Sequence, residues 1–537
     1  MDPNYNSIDE LINLLEQHNV SKIVVCPGSR NSPLVTALFH TKFFTCYPIT
    51  DERSAGFFAT GLSLHGGHKV AVCCTSGSAL LNLHPAIAEA YYQQIPLIII
   101  SADRPLSWIG QKDGQTLPQE NVFGTLVRKS INLRPINTEN DRWFNNRLIN
   151  EALLESDHKT RGPIHINIEI QEPLHSTTIT PQPKRKIERL MGLSPYHKEN
   201  QIIYKALNKY SRKMVLIGQM NLIYEFEKRD AKMLYKHFVW LGEHLANQTA
   251  PGIILRNFDA AIKSMTKEQS ANFAPELLIT YGGHTISKQI KKLLTEHPPK
   301  EHWHISPDGE IMDRYKCLTR VIEMDPFDFL ERIAAQIDCP TPSYPREWEQ
   351  QCKSLPEIEP HFSQSYIIGK TQQSLPANSA LHLANSMTVR YSQLYPLNSE
   401  IEVCCNRGIN GIEGSLSTAL GYAYHSQKLN FIFLGDLSFF YDMNILNSTL
   451  INNNIRILLV NNNGGAIFDS LSYIDQSDEA TPLIKGIQTH QAKEWATSRG
   501  FEYKQVNTFE ELNDSLEWLT NPIQHNSPLF LEIICKN

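Results

Sequence analysis

Short runs of β-branched and other apolar residues alternate with helix-patterned stretches along almost the whole chain. That alternation constrains the fold more than any other feature. It is the pattern of α/β domains, in which parallel strands are joined by crossover helices. After Ser7 the apolar residues Ile8, Leu11, Ile12, Leu14 and Leu15 recur on a helical period, and the strand-like run Lys22–Cys26 follows. Further strands are predicted at Val70–Cys74, Pro96–Ser101 and Pro163–Ile168 in a first block. A middle block has them at Met214–Ile217, Leu277–Thr280 and Val321–Met324. A last block has them at Ile401–Cys405, Phe431–Leu434, Ile455–Val460 and Leu529–Ile534. A proline-containing charged stretch, 181–188, reads as a linker or as a surface loop, and 340–360, with many Pro, Glu and Lys, as a second linker. The expected class is α/β, with three doubly wound domains and mainly parallel sheets over 1–180, 190–345 and 360–537. At 537 residues the chain has room for domains of about 150 residues each.

Composition narrows the function. Fifty Lys+Arg against 56 Asp+Glu leave a net charge of −6, which argues against a general nucleic-acid binder. No apolar run approaches the roughly 20 residues of a membrane helix. The polar, acidic start MDPNYNSIDE lacks a secretory pattern, so a cytoplasmic location is expected. The ten cysteines include adjacent pairs, Cys73-Cys74 and Cys404-Cys405, inside apolar runs. There is no C-x-x-C and no Cys/His cluster at zinc spacing, so they are expected to be small buried apolar residues. None of the 20 histidines lies in H-E-x-x-H. His84 is expected to be a packing residue. A Walker A sequence is absent, and so is Gly-x-Gly-x-x-Gly after the first strand, which disfavours a nicotinamide enzyme.

The strongest chemical signal is in the last block. The strand at Phe431–Leu434 ends in Gly435-Asp436-Leu437-Ser438, and the next, Ile455–Val460, in Asn461-Asn462-Asn463-Gly464-Gly465. One crossover therefore sets Asp436 and a run of asparagines on the same sheet edge, where ligands of open α/β sheets collect. An Asp carboxylate, an Asn carbonyl and the Gly464 backbone carbonyl make a hard oxygen set suited to Mg²⁺. Alone, the Asn-Gly run would read as a turn; the pairing with Gly435-Asp436 gives it its meaning. The outer blocks also echo each other faintly. Asp51 to Gly61 and Ile412 to Gly421 each lead into a helix with Ala-x-Gly (Ala59, Gly61; Ala419, Gly421), a spacing that lets a helix sit close to a sheet.

Gly435-Asp436 followed by Asn461-Asn462 resembles the GDG…NN fingerprint of the thiamin-diphosphate-dependent enzymes, with Leu437 in place of the third glycine. The sequences GDLSFFYDMN and NNNGGAIF are similar to the branch of that family that acts on 2-oxoglutarate and isochorismate in menaquinone biosynthesis. The resemblance implies a thiamin-diphosphate-binding fold, with a pyrimidine-binding first domain and a diphosphate- and Mg²⁺-binding last one. Mn²⁺ is an alternative ion. It implies a transferase that decarboxylates 2-oxoglutarate and adds the four-carbon succinyl-semialdehyde unit to isochorismate in a 1,4 fashion. Another thiamin-diphosphate-dependent 2-oxoacid decarboxylase, or an acetohydroxyacid synthase-like carboligase, is the other reading. The family draws its two half-sites from different subunits, which implies a homodimer or a dimer of dimers.

The site residues implied by the resemblance follow. Glu52 matches the glutamate that shares a proton with the aminopyrimidine ring; by itself it would read as a surface helix-start residue paired with Arg53. A dry pocket raises a carboxyl pKa and suits that exchange. Ser78 and Ile412 match cofactor-contacting positions, and Gly435, Asp436, Leu437, Asn462 and Gly464 the diphosphate and metal end. Ser29, Arg30, Arg104, Gln115, Ser386, Arg390 and Arg407 match substrate-contacting positions, and Ile467 and Phe468 line the pocket. Two substrates with two carboxylates each call for arginine, which binds carboxylates through two parallel hydrogen bonds. Arg390 and Arg407 are expected to act with Glu52 in catalysis. Ser287-Lys288 resembles a family basic pair, with Gln289 where many relatives carry Arg.

Overall fold

The computed structural model describes residues 3–172, 174, 184–189, 200–221, 224–225, 234–249, 253–355, 358–470, 474–475, 477, 479–523 and 525–535. Residues 181–183 of the first linker lie outside them. The first sheet holds β1 (Lys22–Val25), β2 (Thr45–Pro48), β3 (Val70–Cys74), β4 (Leu97–Asp103), β5 (Lys129–Leu133) and β6 (Ile164–Glu169). The middle region holds β7 (Lys213–Ile217), β8 (Tyr224–Glu225), β9 (Val239–Gly242), β10 (Gln248–Thr249), β11 (Ile254–Leu255), β12 (Leu277–Tyr281), β13 (Glu301–Ile305) and β14 (Arg320–Ile322). The last sheet holds β15 (Ala380–Leu383), β16 (Glu402–Cys404), β17 (Asn430–Gly435), β18 (Ile455–Asn461), β19 (Glu502–Val506) and β20 (Leu529–Ile534). Pairings within the three six-stranded sheets are parallel.

The outer sheets share one topology. Their orders, β2-β1-β3-β4-β6-β5 and β16-β15-β17-β18-β20-β19, are the same permutation of chain order, so the faint sequence echo has a structural counterpart. The middle sheet, β11-β9-β7-β12-β13-β14, is wound differently. In each outer sheet the chain reverses its direction of travel beside the first strand, and the crevice at such a switch point is where ligands bind. Here the crevices open beside the ends of β1 and β3, and of β15 and β17.

The echoed Ala-x-Gly helices pack on their sheets, as the sequence suggested: one lies on β1 and β3, the other on β15 and β17. They also rest on each other. Helix Glu52–Gly66 crosses helix Ser415–His425 backbone to backbone: a Cβ on Gly61 would lie 2.0 Å from the Thr418 carbonyl oxygen, and one on Gly421 2.1 Å from that of Phe58. One apolar cluster runs through the crossing, joining Phe58 and Leu62 to Leu416, Leu420 and Ile432, so the two outer domains share a core.

The second predicted linker contains a helix, Tyr344–Lys353. Its Tyr344, Trp348 and Cys352 are buried against Met214, Leu278 and Leu293, so this charged segment belongs to the middle domain's core. No helix of the described residues is long and apolar enough to cross a membrane. Gly421→Ala is expected to cost about 1–3 kcal/mol by overpacking and to lower the thermal unfolding midpoint; a midpoint equal to wild type contradicts the close crossing.

Candidate active site

The last domain supplies an oxygen cluster. β17 ends at Gly435, and Asp436 opens the short helix Asp436–Asp442, its side chain 2% exposed. Asp436 Oδ1 accepts from the Leu437 N–H at 2.8 Å; Oδ2 accepts from the Gly464 N–H at 2.8 Å and from Gln488 Nε2 at 2.7 Å. Burial pushes this carboxyl above its ordinary pKa, while the Gln488, Leu437 and Gly464 bonds pull the other way. Asn461 is structural: its amide donates to Glu532 Oε1 at 2.7 Å and to the His490 carbonyl at 2.9 Å.

Asn462 points into the cluster. One terminal atom of its amide lies 3.2 Å from Asp436 Oδ1 and 2.7 Å from the Gly464 carbonyl oxygen. With nitrogen there, the amide donates to both. With oxygen there, three oxygens converge with no proton between them, an arrangement that only a cation relieves. Two of their spacings lie close to the roughly 3 Å edge of an octahedron with about 2.1 Å metal–oxygen bonds. The donor set therefore fits Mg²⁺. Gly464 has φ +146°, outside the reach of ordinary side chains, and a Cβ there would crowd the Lys485 carbonyl at 3.2 Å. The Ile412 carbonyl accepts from Ser438 Oγ at 2.7 Å, which ties that residue to the Asp436 helix. Ile467 and Phe468 are half-buried on the turn Ala466–Ser470, and Leu437 is half-buried beside Gly486.

The first domain supplies a separate constellation. Asp51 caps its helix by accepting from the N–H groups of Arg53 (3.0 Å) and Ser54 (3.3 Å), which leaves the Glu52 carboxylate free of that duty. Glu52 accepts from Asn82 Nδ2 at 3.2 Å. Arg53 donates instead to the Tyr441 carbonyl and lies over the Tyr441 ring. Beyond β3, the turn at Gly77 (φ +87°) starts helix Ser78–Asn82, with Ser78 exposed. The exposed Gln115 packs its backbone on Gly77, and the buried hydroxyls of Thr75 and Ser76 have no partner among the described residues. His84 packs on the Phe123 ring, as expected of a packing residue.

The arginines form two pairs. Arg30, 3% exposed, donates to the Ile170 carbonyl at 3.0 Å and to Glu172 at 2.7 Å. Arg104 bridges Asp113 at 3.1 Å and lies 3.9 Å from the same Glu172. Ser29 is exposed in the turn before Arg30. In the last domain, Arg407 is buried and donates to Asn385 Oδ1 at 3.0 Å, beside Ser386, whose φ is +72°. Burial and the neighbouring Arg407 hold the Arg390 guanidinium below its usual pKa. The Nε atoms of Arg30, Arg390 and Arg407 are buried with no hydrogen-bond partner among the described residues.

Three carboxylates and amides that shape the site carry no local motif. Glu89, 1% exposed, accepts from the N–H groups of Gly408 (2.7 Å) and Ile409 (2.8 Å), gripping the backbone after Arg407. Gln488 clamps Asp436. Glu243 of the middle domain accepts from the N–H groups of Ile286 and Ser287 at 2.7–2.8 Å, just before the exposed Lys288 and half-buried Gln289. Ser287 also caps helix Lys288–Glu296 and donates to Asp259. No hydrogen bond among the described residues joins Glu52 to Asp436, Asn462 or Gly464.

The family model described as "Thiamine pyrophosphate enzyme, N-terminal TPP binding domain" matches residues 6–122, the segment that holds Glu52 and Ser78. The chain is 56% identical over 528 residues to the 2-succinyl-5-enolpyruvyl-6-hydroxy-3-cyclohexene-1-carboxylate synthase of Bacteroides thetaiotaomicron, covering 98% of this chain and 95% of that protein. The chain belongs to this synthase family. The proteins of the same name from Phocaeicola vulgatus (57% identical, 98% and 95% covered) and Flavobacterium johnsoniae (36%, 97% and 95%) are similar over the same extent. As a member of this family it is a thiamin-diphosphate-dependent enzyme of the transferase type, and the two strand-end constellations are where that cofactor's chemistry is to be sought.

Burial pushes the Glu243 carboxyl from its ordinary 4.5 up to about 7, against the Ile286 and Ser287 bonds and Arg407, which lower it. The raised value means that the folded state holds this proton more tightly than the unfolded chain. The group's contribution to stability is full below pH 4.5 and is lost as the pH rises through about 7, a change on the order of 3 kcal/mol. Glu243→Gln is expected to flatten that part of the stability profile, read from unfolding midpoints at pH 5 and pH 8. A wild-type slope retained by the variant contradicts the assignment.

Proposed function

We propose that the chain decarboxylates 2-oxoglutarate and adds the four-carbon unit to isochorismate in a 1,4 fashion, giving 2-succinyl-5-enolpyruvyl-6-hydroxy-3-cyclohexene-1-carboxylate for menaquinone biosynthesis. Beyond family membership, the observation that supports these substrates is the buried arginine set: Arg30, Arg390 and Arg407 each keep a buried Nε with no hydrogen-bond partner among the described residues. A buried guanidinium left so is costly until an anion arrives. Small monoanionic oxoacids would need fewer such groups.

Thiamin diphosphate, when bound, supplies the electron sink that lets carbon dioxide leave a 2-oxoacid. Asp436, Asn462 and the Gly464 carbonyl would hold the divalent ion, with Gly435 and Leu437 beside the diphosphate. Glu52, freed from capping by Asp51, would hold a shared proton at the pyrimidine ring, with Ser78 beside it and Ile412 beneath the cofactor. Arg390 and Arg407 would neutralise one dianion, with Ser386 and Lys288 at its edge. Arg30 and Arg104 would bind the second, with Ser29 and Gln115 alongside. Glu172, 70% exposed, would swing away from the two arginines as a substrate carboxylate replaces it. Leu437, Ile467 and Phe468 would keep water out, which protects the nucleophile from protonation.

Two copies are needed in this reading, with Glu52 of one facing the Asp436 cluster of the other. Exposed apolar Leu81, Leu106 and Trp108, which flank Ser78 and Arg104, suit burial against a second copy. The ten free thiols suit a reducing cytoplasm.

Protein, Mg²⁺, thiamin diphosphate, 2-oxoglutarate and isochorismate together are expected to yield the adduct by mass. Carbon dioxide release indifferent to isochorismate would instead favour a simple 2-oxoacid decarboxylase. Glu52→Gln is expected to abolish turnover in a folded chain; near-normal activity removes Glu52 from its role. Asp436→Ala is expected to raise the Mg²⁺ concentration needed for cofactor binding by roughly 10-fold or more, and an unchanged requirement refutes the metal assignment.

A further inference from the structure

Away from the crevices, the middle sheet assembles three metal-ligating side chains that showed no zinc spacing in the sequence. His302 stands on β13 and is 1% exposed. Asp313 and Cys317 stand on the loop from β13 to β14, Asp313 exposed and Cys317 half-buried. Asp313 Oδ1 accepts from the N–H groups of Cys317 (2.9 Å) and Leu318 (3.1 Å), which folds the loop back and sets the carboxylate next to the thiol. Cys317 Sγ lies 3.6 Å from His302 Nδ1, and one ligand atom from each of the three residues lies within 4.8 Å of the others. Ligands bound to zinc at about 2.0–2.3 Å in a tetrahedron are about 3.3–3.8 Å apart. The His–Cys edge is already at that spacing, and rotation of the exposed Asp313 side chain is enough to bring in the third.

The far side of His302 is arranged for the same purpose. Its Nε2 lies 2.9 Å from Thr280 Oγ1, which lies 3.0 Å from His304 Nδ1. Thr280 has one hydroxyl proton to give. When it donates to His304, it accepts from His302 Nε2–H, and the His302 Nδ1 lone pair is left facing Cys317. A hydrogen bond that fixes the tautomer of a ligating histidine from behind is the usual support of such a site.

We infer that His302, Asp313 and Cys317 bind a divalent transition-metal ion of zinc type, with a fourth position open to solvent. Imidazole and thiolate select zinc over magnesium, which prefers oxygen alone. The ion would pin the β13–β14 loop to the sheet. That loop carries Arg314, whose guanidinium donates to the Thr285 carbonyl at 2.9 Å, next to the Ile286–Ser287 turn held by Glu243. The site is separate from the thiamin-diphosphate crevice and does not depend on the substrate reading.

The full-length chain, stripped with chelator and dialysed against limiting zinc, is expected to retain one more zinc per chain than Cys317→Ser. Cobalt(II) is expected to give a thiolate-to-metal charge-transfer band in wild type and none in that variant. Asp313→Asn, a change at an exposed side chain, provides the same zinc comparison if Cys317→Ser does not fold. Thr280→Val is expected to weaken zinc binding by about 10-fold. Equal zinc retention in wild type and the ligand variants, or a cobalt complex without the thiolate band, overturns the site.

Discussion

The crossing of two glycine-bearing helices, Glu52–Gly66 and Ser415–His425, is the contact on which the rest of the architecture depends. At Gly61 and Gly421 their backbones meet with no room for a side-chain carbon. Each helix begins beside candidate site residues: Asp51 and Glu52 at the start of one, and Ile412 to Gly414 just before the other. Phe57 presses its ring on Gly414 (φ +73°), so the loops are set by the same packing that fuses the two domain cores. Any change in the crossing would move both loops together.

Upon that frame the two outer sheets repeat one topology with different chemistry. The first ends in a carboxylate, hydroxyls and an arginine pair; the last ends in an oxygen cluster and a second arginine pair. Gln115, Ser386 and Asn463 adopt left-handed backbone at φ +55°, +72° and +64°, a conformation costly for residues other than glycine. Such positions persist where the surroundings over-determine them, and here each lies in a loop that carries a candidate ligand contact. Buried polar groups differ in the same way: the Asp436 carboxylate is satisfied by three donors, whereas the Nε atoms of Arg30, Arg390 and Arg407 are buried with no hydrogen-bond partner among the described residues.

Much of this was legible in the sequence, for physical reasons that also explain the gaps. Strands buried on both faces, such as Ile455–Asn461 and Leu529–Ile534, read as continuous apolar runs. Three more polar strands did not: Lys129–Leu133, Glu301–Ile305 and Glu502–Val506 carry charged or polar residues among the apolar ones. The helix Tyr344–Lys353 was hidden by its charges, although Tyr344, Trp348 and Cys352 recur every four residues on one face. The Gly435-Asp436 and Asn462 signals are local and were readable. Glu89, Glu243 and Gln488 act across long sequence separations as single residues, and nothing near them in the chain marks them. The His302, Asp313 and Cys317 group is of the same kind, brought together only by the return of the loop onto β13.

The central claim is that one coenzyme is held at both ends, by a carboxyl at its pyrimidine and by a metal on its diphosphate. A crystal structure of the full chain grown with thiamin diphosphate and Mg²⁺ tests it most directly. The account predicts the Glu52 carboxyl against a pyrimidine nitrogen and the ion ligated by Asp436, the Asn462 carbonyl and the Gly464 carbonyl. A Glu52 carboxyl distant from every pyrimidine in every subunit pairing, or an ion bound elsewhere, would contradict it.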